Sequence, residues 1–289
     1  MYGVLKILYS DAHCHSNPIS GLGASRIAHR FREAGGWFIA LVGLPPYHYG
    51  IEDLGVEAHL KTYRVVIEEA RRIRENGLRT CVLVGFHPAE IDHYFRAGWG
   101  LEDIVSLGRK LIDEIARLHD QGLIDGIGEV GRQHYSTAPQ RLIASEIIMW
   151  YALETAKDHD MIVHLHLEQG GYSTVESIRI IVDKIGIPRN KIFLHHSTYN
   201  EALWAEKYGF WYTVPAKKRV YDRVFPNKPS YVLTESDFID DPRRPGVSAY
   251  PWDIVSGLKE LLVKGVIDEE YVYRVEVDNI VKAYGVEPP

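Results

Sequence analysis

The chain has 289 residues, 46% of them hydrophobic and 25% charged, with a formal net charge of −6. This composition is ordinary for a soluble globular protein of one large domain or two smaller ones. The acidic balance argues against bulk, non-specific binding of polyanions. Two cysteines, Cys14 and Cys81, cannot form a disulfide framework, which points to a reducing compartment.

Taken in order, short apolar runs alternate with longer amphipathic stretches. The first predicted strand, Val4–His13, leads into Ser10-Asp11-Ala12-His13-Cys14-His15. It reads as a strand rather than a signal peptide, because no small-residue cleavage site follows. Together with apolar runs too short to span a bilayer, this gives an expected cytoplasmic location without membrane contact. Further strands are predicted at Trp37–Leu44, Thr80–Gly85, Leu123–Glu129, Met161–Leu167, Lys191–His195, Phe210–Val214 and Tyr231–Ser236. Several are near-continuous hydrophobic runs, as in parallel strands covered by helices. Between them the spacing predicts helices over Ala24–Ala34, Val56–Glu75, Glu102–His119, Gln140–Lys157, Thr174–Lys184 and Asn200–Lys207. Two more follow at Trp252–Val263 and Asp268–Ala283. The longest non-periodic stretches are Pro45–Gly55, Pro215–Ser230 and Ile239–Pro251.

About eight βα units in this length suit a (β/α)8 TIM barrel forming one domain over residues 1–289. The alternative is an open doubly wound sheet. The first strand is not followed by a Gly-rich phosphate loop, which weakens the dinucleotide-binding version of that alternative.

Chemistry-bearing residues fall at the C-terminal ends of the predicted strands, the face on which barrel enzymes build their sites. Strand alternation sets Asp11, His13 and His15 on one face and Cys14 on the other, where it becomes a core thiol. His87 follows the third strand, Glu129 lies within Gly128-Glu129-Val130-Gly131, and His164 and His166 share a face of the fifth strand. His195 and His196 end the sixth strand, and Glu235 and Asp237 share a face after the eighth. Neutral imidazoles with carboxylates suit Zn²⁺, Mn²⁺ or Fe²⁺. A carboxylate can bridge two such ions, and Asp237 is placed to act as the base that deprotonates water.

The order of these motifs resembles the TatD-related metal-dependent hydrolases of the amidohydrolase superfamily. The resemblance runs over the whole chain and includes Asp278-Asn279 near its end. It implies a metallo-dependent hydrolase barrel with two divalent metal ions, Zn²⁺ foremost, with Mn²⁺, Mg²⁺ or Fe²⁺ as alternatives. It implies that His13, His15 and Asp237 hold one ion, that His164 and His195 hold the other, and that Glu129 bridges them. Asp237 would double as base, and His87 would touch the substrate or developing charge. Asp11 is expected to stand behind the ligands and orient a histidine.

The sequence departs from the family pattern at Arg132-Gln133, at His166 and at His196-Ser197. Arg132, His166, Lys217 and Arg243, with Lys218 and Arg244, are expected to form a substrate rim. The leading expectation is a hydrolase acting on a phosphodiester, either a small molecule or a nucleic-acid end, as in a TatD-like nuclease. The alternatives are carbon-centred hydrolysis of an amide, lactone or ester, a PHP-type phosphatase, and an inactive metal-binding scaffold. Oligomeric state is left open by the sequence.

Overall fold

The computed structural model describes residues 7–244 and 248–288, so the first three residues of the predicted strand Val4–His13 lie outside the described residues. Eight strands form one sheet in the order of the sequence: β1 (Tyr9–Cys14), β2 (Gly36–Val42), β3 (Arg79–Val84), β4 (Gly126–Gly131), β5 (Ile162–His166), β6 (Ile192–Leu194), β7 (Trp211–Pro215) and β8 (Val232–Glu235). Every neighbouring pair is parallel. The sheet closes on itself where the chain leaves β8. Asp237 N donates to His13 O at 2.9 Å, and His15 N donates to Phe238 O at 2.9 Å. The expected (β/α)8 barrel is therefore the fold.

Helices cover the outside: α1 (Ala24–Ala34), α2 (Val56–Glu75), α3 (Pro88–Arg96), α4 (Leu101–Asp120), α5 (Pro139–Asp158), α6 (Tyr172–Ile185), α7 (Tyr199–Tyr208), α8 (Lys218–Val224), α9 (Pro251–Val263), α10 (Glu269–Tyr273) and α11 (Asn279–Tyr284). Two of these replace predicted loop or turn. In α3, His87 supplies a reciprocal cap with Glu90 and Pro88 takes the first helical position, so a turn-like Gly-Phe-His-Pro begins a helix. The other, α8, lies inside the stretch Pro215–Ser230. Conversely, the predicted last helix is divided by a π-turn over Arg274–Asp278. No helix among the described residues is long and apolar enough to cross a membrane.

The core has two layers. Ile27, Phe31, Ile39, Leu41 and Val66 pack between strands and helices, and Cys14 joins them as a buried free thiol. A second cluster, including Ala12, Phe38, Leu83, Phe193 and Leu233, packs with Ile280 and Tyr284 of α11. Asn279 pins this helix, donating to Ser230 O at 3.0 Å and to Val232 O at 2.9 Å.

Glu276, fully buried on the π-turn, fastens the same region to β1 and β8. Its carboxylate accepts from Ser10 N at 2.7 Å, Ser10 Oγ at 2.9 Å and Thr234 Oγ1 at 2.8 Å. Burial, partly offset by these bonds, raises its pKa from 4.5 to about 7. The folded state thus holds this proton more tightly than the unfolded one. The associated stability is full below pH 4.5 and is lost as pH rises through about 7. Glu276→Gln should abolish that fall, a change of about 3 kcal/mol in the difference between acid and neutral unfolding free energies. Urea denaturation across this pH range is the check, and an unaltered pH slope would refute the assignment.

Candidate metal centre

Two local irregularities aim the central side chains. Between Asp11 and Cys14, β1 sets two residues, Ala12 and His13, against one of β2, Ala40, and β4 is likewise irregular between Gly128 and Val130. His13 and Glu129 sit at these points, where an extra residue re-aims a side chain. Close approach of the neighbouring backbones requires glycine. A Cβ on Gly85 would lie 2.2 Å from Glu129 O, and one on Gly131, at φ 144°, would lie 2.1 Å from His166 O.

Around Glu129 Oε1 lie His13 Nε2 at 2.9 Å, His15 Nε2 at 3.5 Å and His195 Nε2 at 4.0 Å. Asp237 Oδ1 is 3.8 Å from His15 Nε2 and 3.7 Å from His195 Nε2. His87 Nε2 approaches Glu129 Oε2 to 3.1 Å. Two triads, His13–His15–Glu129 and His87–Glu129–His166, each bring their ligand atoms within 4.8 Å of one another. Asp237 is the outlier in burial, its side chain 29% exposed where that of Glu129 is 3%. It also holds φ 50°, a left-handed conformation that Asp tolerates better than most residues.

Hydrogen bonding admits a tautomer set in which Nε2 atoms face the cluster with lone pairs. Tyr284 Oη donates to Ala12 O at 2.8 Å and so accepts from His164 Nε2 at 3.1 Å. His164 Nδ1 then accepts from His13 Nδ1 at 3.1 Å. This leaves a lone pair on His13 Nε2, only 2.9 Å from a carboxylate oxygen. In this tautomer two acceptors face each other, an arrangement that a cation beside them satisfies. His15 Nδ1 donates to Val42 O and His166 Nδ1 to Arg132 O, each at 2.9 Å, so both Nε2 atoms carry lone pairs. His195 Nδ1 meets Glu235 Oε2 at 2.7 Å.

Burial holds the pKa values of His13, His166 and His195 below the ordinary histidine value, which favours the neutral, coordinating form. Burial pushes Glu129 upward. The nearby imidazoles of His87, His195 and His13 outweigh that and hold it well below the usual carboxylate range. Donor separations of 2.9–4.0 Å are those of ligands about 2.1 Å from a shared ion. The residues present therefore fit divalent metal ions.

The geometry places several of the expected residues differently from one another. His164 lies below the cluster, with both ring nitrogens engaged and its ring stacked on Phe193 at 4.6 Å. Its Nδ1 meets His13 Nδ1 at 3.1 Å, while His166, expected at the substrate rim, has its Nε2 within reach of Glu129 and His87. Among the described residues Asp11 meets no imidazole nitrogen: its Oδ1 accepts from His13 N at 3.2 Å and Ser236 N at 2.9 Å, tying β1 to the turn that carries Asp237.

The basic rim is largely neutralised. Arg132 Nε pairs with Glu168 at 2.8 Å and its Nη1 with Glu146 at 3.4 Å, and Nη2 donates to Ser177 at 2.9 Å. Arg243 and Arg244 share Asp241, at 3.0 and 3.2 Å. Lys218 pairs with Asp222 and Glu260. Lys217 stands at the start of α8.

Glu235, which the sequence offers as a salt-bridge partner, pairs with His195 at 2.7 Å; sequence reasoning did not say with which residue. Sequence reasoning left out His134, whose ring stacks on His166 at 4.7 Å. The cluster opens into a cavity of about 300 Å³, whose lining includes Tyr47, His48, His134, His196 and Arg244.

The family model for TatD-related DNase matches residues 10–285. The chain belongs to the TatD-related DNase family. This places it among the metal-dependent hydrolases of TatD type. An uncharacterised protein of Methanocaldococcus jannaschii, MJ1127, is 30% identical over 292 residues, covering 98% of each chain. Among solved structures, the TatD-like protein AF1765 of Archaeoglobus fulgidus superposes with a TM-score of 0.66 at 16% identity, covering 96% of this chain and 100% of its own. The phosphotriesterase homology protein of Escherichia coli, in complex with phosphate in its active site, gives 0.61 at 13% identity, with 95% and 98% covered. The organophosphorus hydrolase of Deinococcus radiodurans gives 0.60 at 13% identity, with 97% and 93% covered. At these identities the structural likeness establishes the barrel alone.

Proposed function

We propose that this protein hydrolyses phosphodiesters with two divalent ions, Zn²⁺ foremost. His13, His15 and Asp237 hold one ion, His166 and His195 the other, and Glu129 lies between them. The observation that carries this reading is the convergence of lone-pair imidazole nitrogens on the single carboxylate Glu129, with Asp237 closing the ring from β8. Ions held there supply Lewis-acid charge and bring the pKa of water towards neutrality.

The protein's own groups do the rest. Asp237, the most accessible carboxylate of the cluster, accepts the proton of the attacking water at Oδ1. Glu235 holds His195 in place through Nδ1, and Val42 O does the same for His15. His87 accepts from Ala89 N through Nδ1, which leaves its Nε2–H on the side of Glu129, whose Oε2 lies 3.1 Å away. His134 and His196 face the cavity and offer N–H donors to the oxygens of a tetrahedral, anionic centre. The active-site phosphate of the Escherichia coli phosphotriesterase homology protein supports a phosphorus centre.

Carbon-centred hydrolysis is favoured by one observation, the neutralised Arg132. Protein reconstituted with Zn²⁺ or Mn²⁺ should cleave bis(4-nitrophenyl) phosphate in preference to 4-nitrophenyl acetate and simple lactones. Turnover confined to the carbon esters would transfer the assignment to them, and none on either panel would remove it.

A further inference from the structure

A second depression adjoins the cavity on the β4–α5 side, about 670 Å³ in volume. His134 and Tyr135 line both. Its walls include three large, solvent-facing apolar side chains, Tyr135 at 41%, Leu142 at 40% and Ile143 at 50% exposure. Leu142 and Ile143 stand in the first turns of α5 and take no part in the barrel core. Clustered exposed apolar surface beside a reaction cavity marks a binding surface rather than ordinary scatter.

The charge lining the depression narrows what it can hold. Arg132 contributes one positive charge, and Glu146 and Glu168 contribute two negative ones. All five N–H groups of a guanidinium are its means of gripping phosphate, and here the two carboxylates and Ser177 occupy it from three sides. Trp150 Nε1 donates to Glu146 Oε1 at 3.3 Å, which further fixes that carboxylate in the wall. A polynucleotide entering this groove would bring phosphates against a net negative surface. An uncharged aryl or branched-alkyl group would cover the apolar walls without that repulsion.

We propose that this groove is a substrate subsite for the uncharged, apolar substituent of a small phosphoester. The proposal rests on the hydrolase reading above and adds the substrate class. The phosphorus centre sits at the metal cluster, His134 marks the junction, and the organic group lies along Tyr135, Leu142 and Ile143. Extended nucleic acid is thereby disfavoured in this groove.

Equilibrium binding by calorimetry tests this without turnover, using metal-loaded protein with methylphosphonate, phenylphosphonate and a short single-stranded deoxyoligonucleotide. Phenylphosphonate should bind about 10-fold more tightly than methylphosphonate, as expected for burying most of a ring, and more tightly than the oligonucleotide. In Ile143→Glu and Leu142→Glu, both surface changes on α5, the phenyl-to-methyl ratio should fall to about 2 or less, with circular dichroism confirming the fold. Equal binding of the two phosphonates, a ratio that survives both changes, or tighter binding of the oligonucleotide would overturn the subsite and leave the hydrolase reading standing. Failure of both phosphonates to bind, with no turnover of any phosphoester, would overturn the two together.

Discussion

Asp237→Asn should lower turnover of a phosphodiester by about 10²- to 10⁴-fold, the range expected for removing a positioned proton acceptor. The substitution is nearly isosteric. Asparagine accepts the left-handed backbone at φ 50° as readily as aspartate, and the bond from residue 237 N to His13 O is untouched. The fold is therefore retained, and the loss falls on kcat. The same carboxylate sits 3.8 Å from His15 Nε2 and 3.7 Å from His195 Nε2, so metal affinity should also weaken. Kinetics at saturating metal separate the two effects. Activity within a few-fold of the parent protein under those conditions would mean that another group takes the proton.

The second large effect distinguishes the two histidines of β5. His166→Ala should lose one ion per chain and most activity, since its Nε2 is the free nitrogen and faces Glu129 and His87. His164→Ala should behave differently. It breaks the chain from Tyr284 through His164 to His13, so it should lower thermal stability and weaken metal binding about 10- to 100-fold. At saturating metal it should still hold two ions. Metal analysis of both variants after equilibrium dialysis provides the check. Loss of an ion from His164→Ala alone would return the ligand role to His164.

That pair shows where sequence reading stops. A strand's period of two puts His164 and His166 on one face but says nothing of depth along the barrel axis. Depth decides the matter, because one ring packs on Phe193 and Tyr284 while the other opens to the cavity. The barrel itself was legible because its strands are nearly continuous apolar runs, such as Trp37-Phe38-Ile39-Ala40-Leu41-Val42, buried throughout.

The irregularities at His13 and Glu129 were not legible, since they arise from pairing with β2 and β5 rather than from local composition. For that reason strand alternation alone puts Asp11 on the face of His13, whereas it caps backbone N–H groups across the barrel seam. The pairing of the rim charges was hidden for a similar cause. The sequence displays the charge of Arg132 but not its partners, Glu146 and Glu168, which arrive 14 and 36 positions away. Helix α3 was hidden because His87 and Pro88 suggest a turn until the return contact from Glu90 is known.

Two ions on either side of Glu129 are the centre of the proposed chemistry. Anomalous diffraction from crystals of protein loaded with Zn²⁺ or Mn²⁺ tests their presence most directly. Two peaks sharing Glu129 are expected, one against His13, His15 and Asp237 and the other against His166 and His195. A cluster without ions, or ions bound without contact to Glu129, would contradict it.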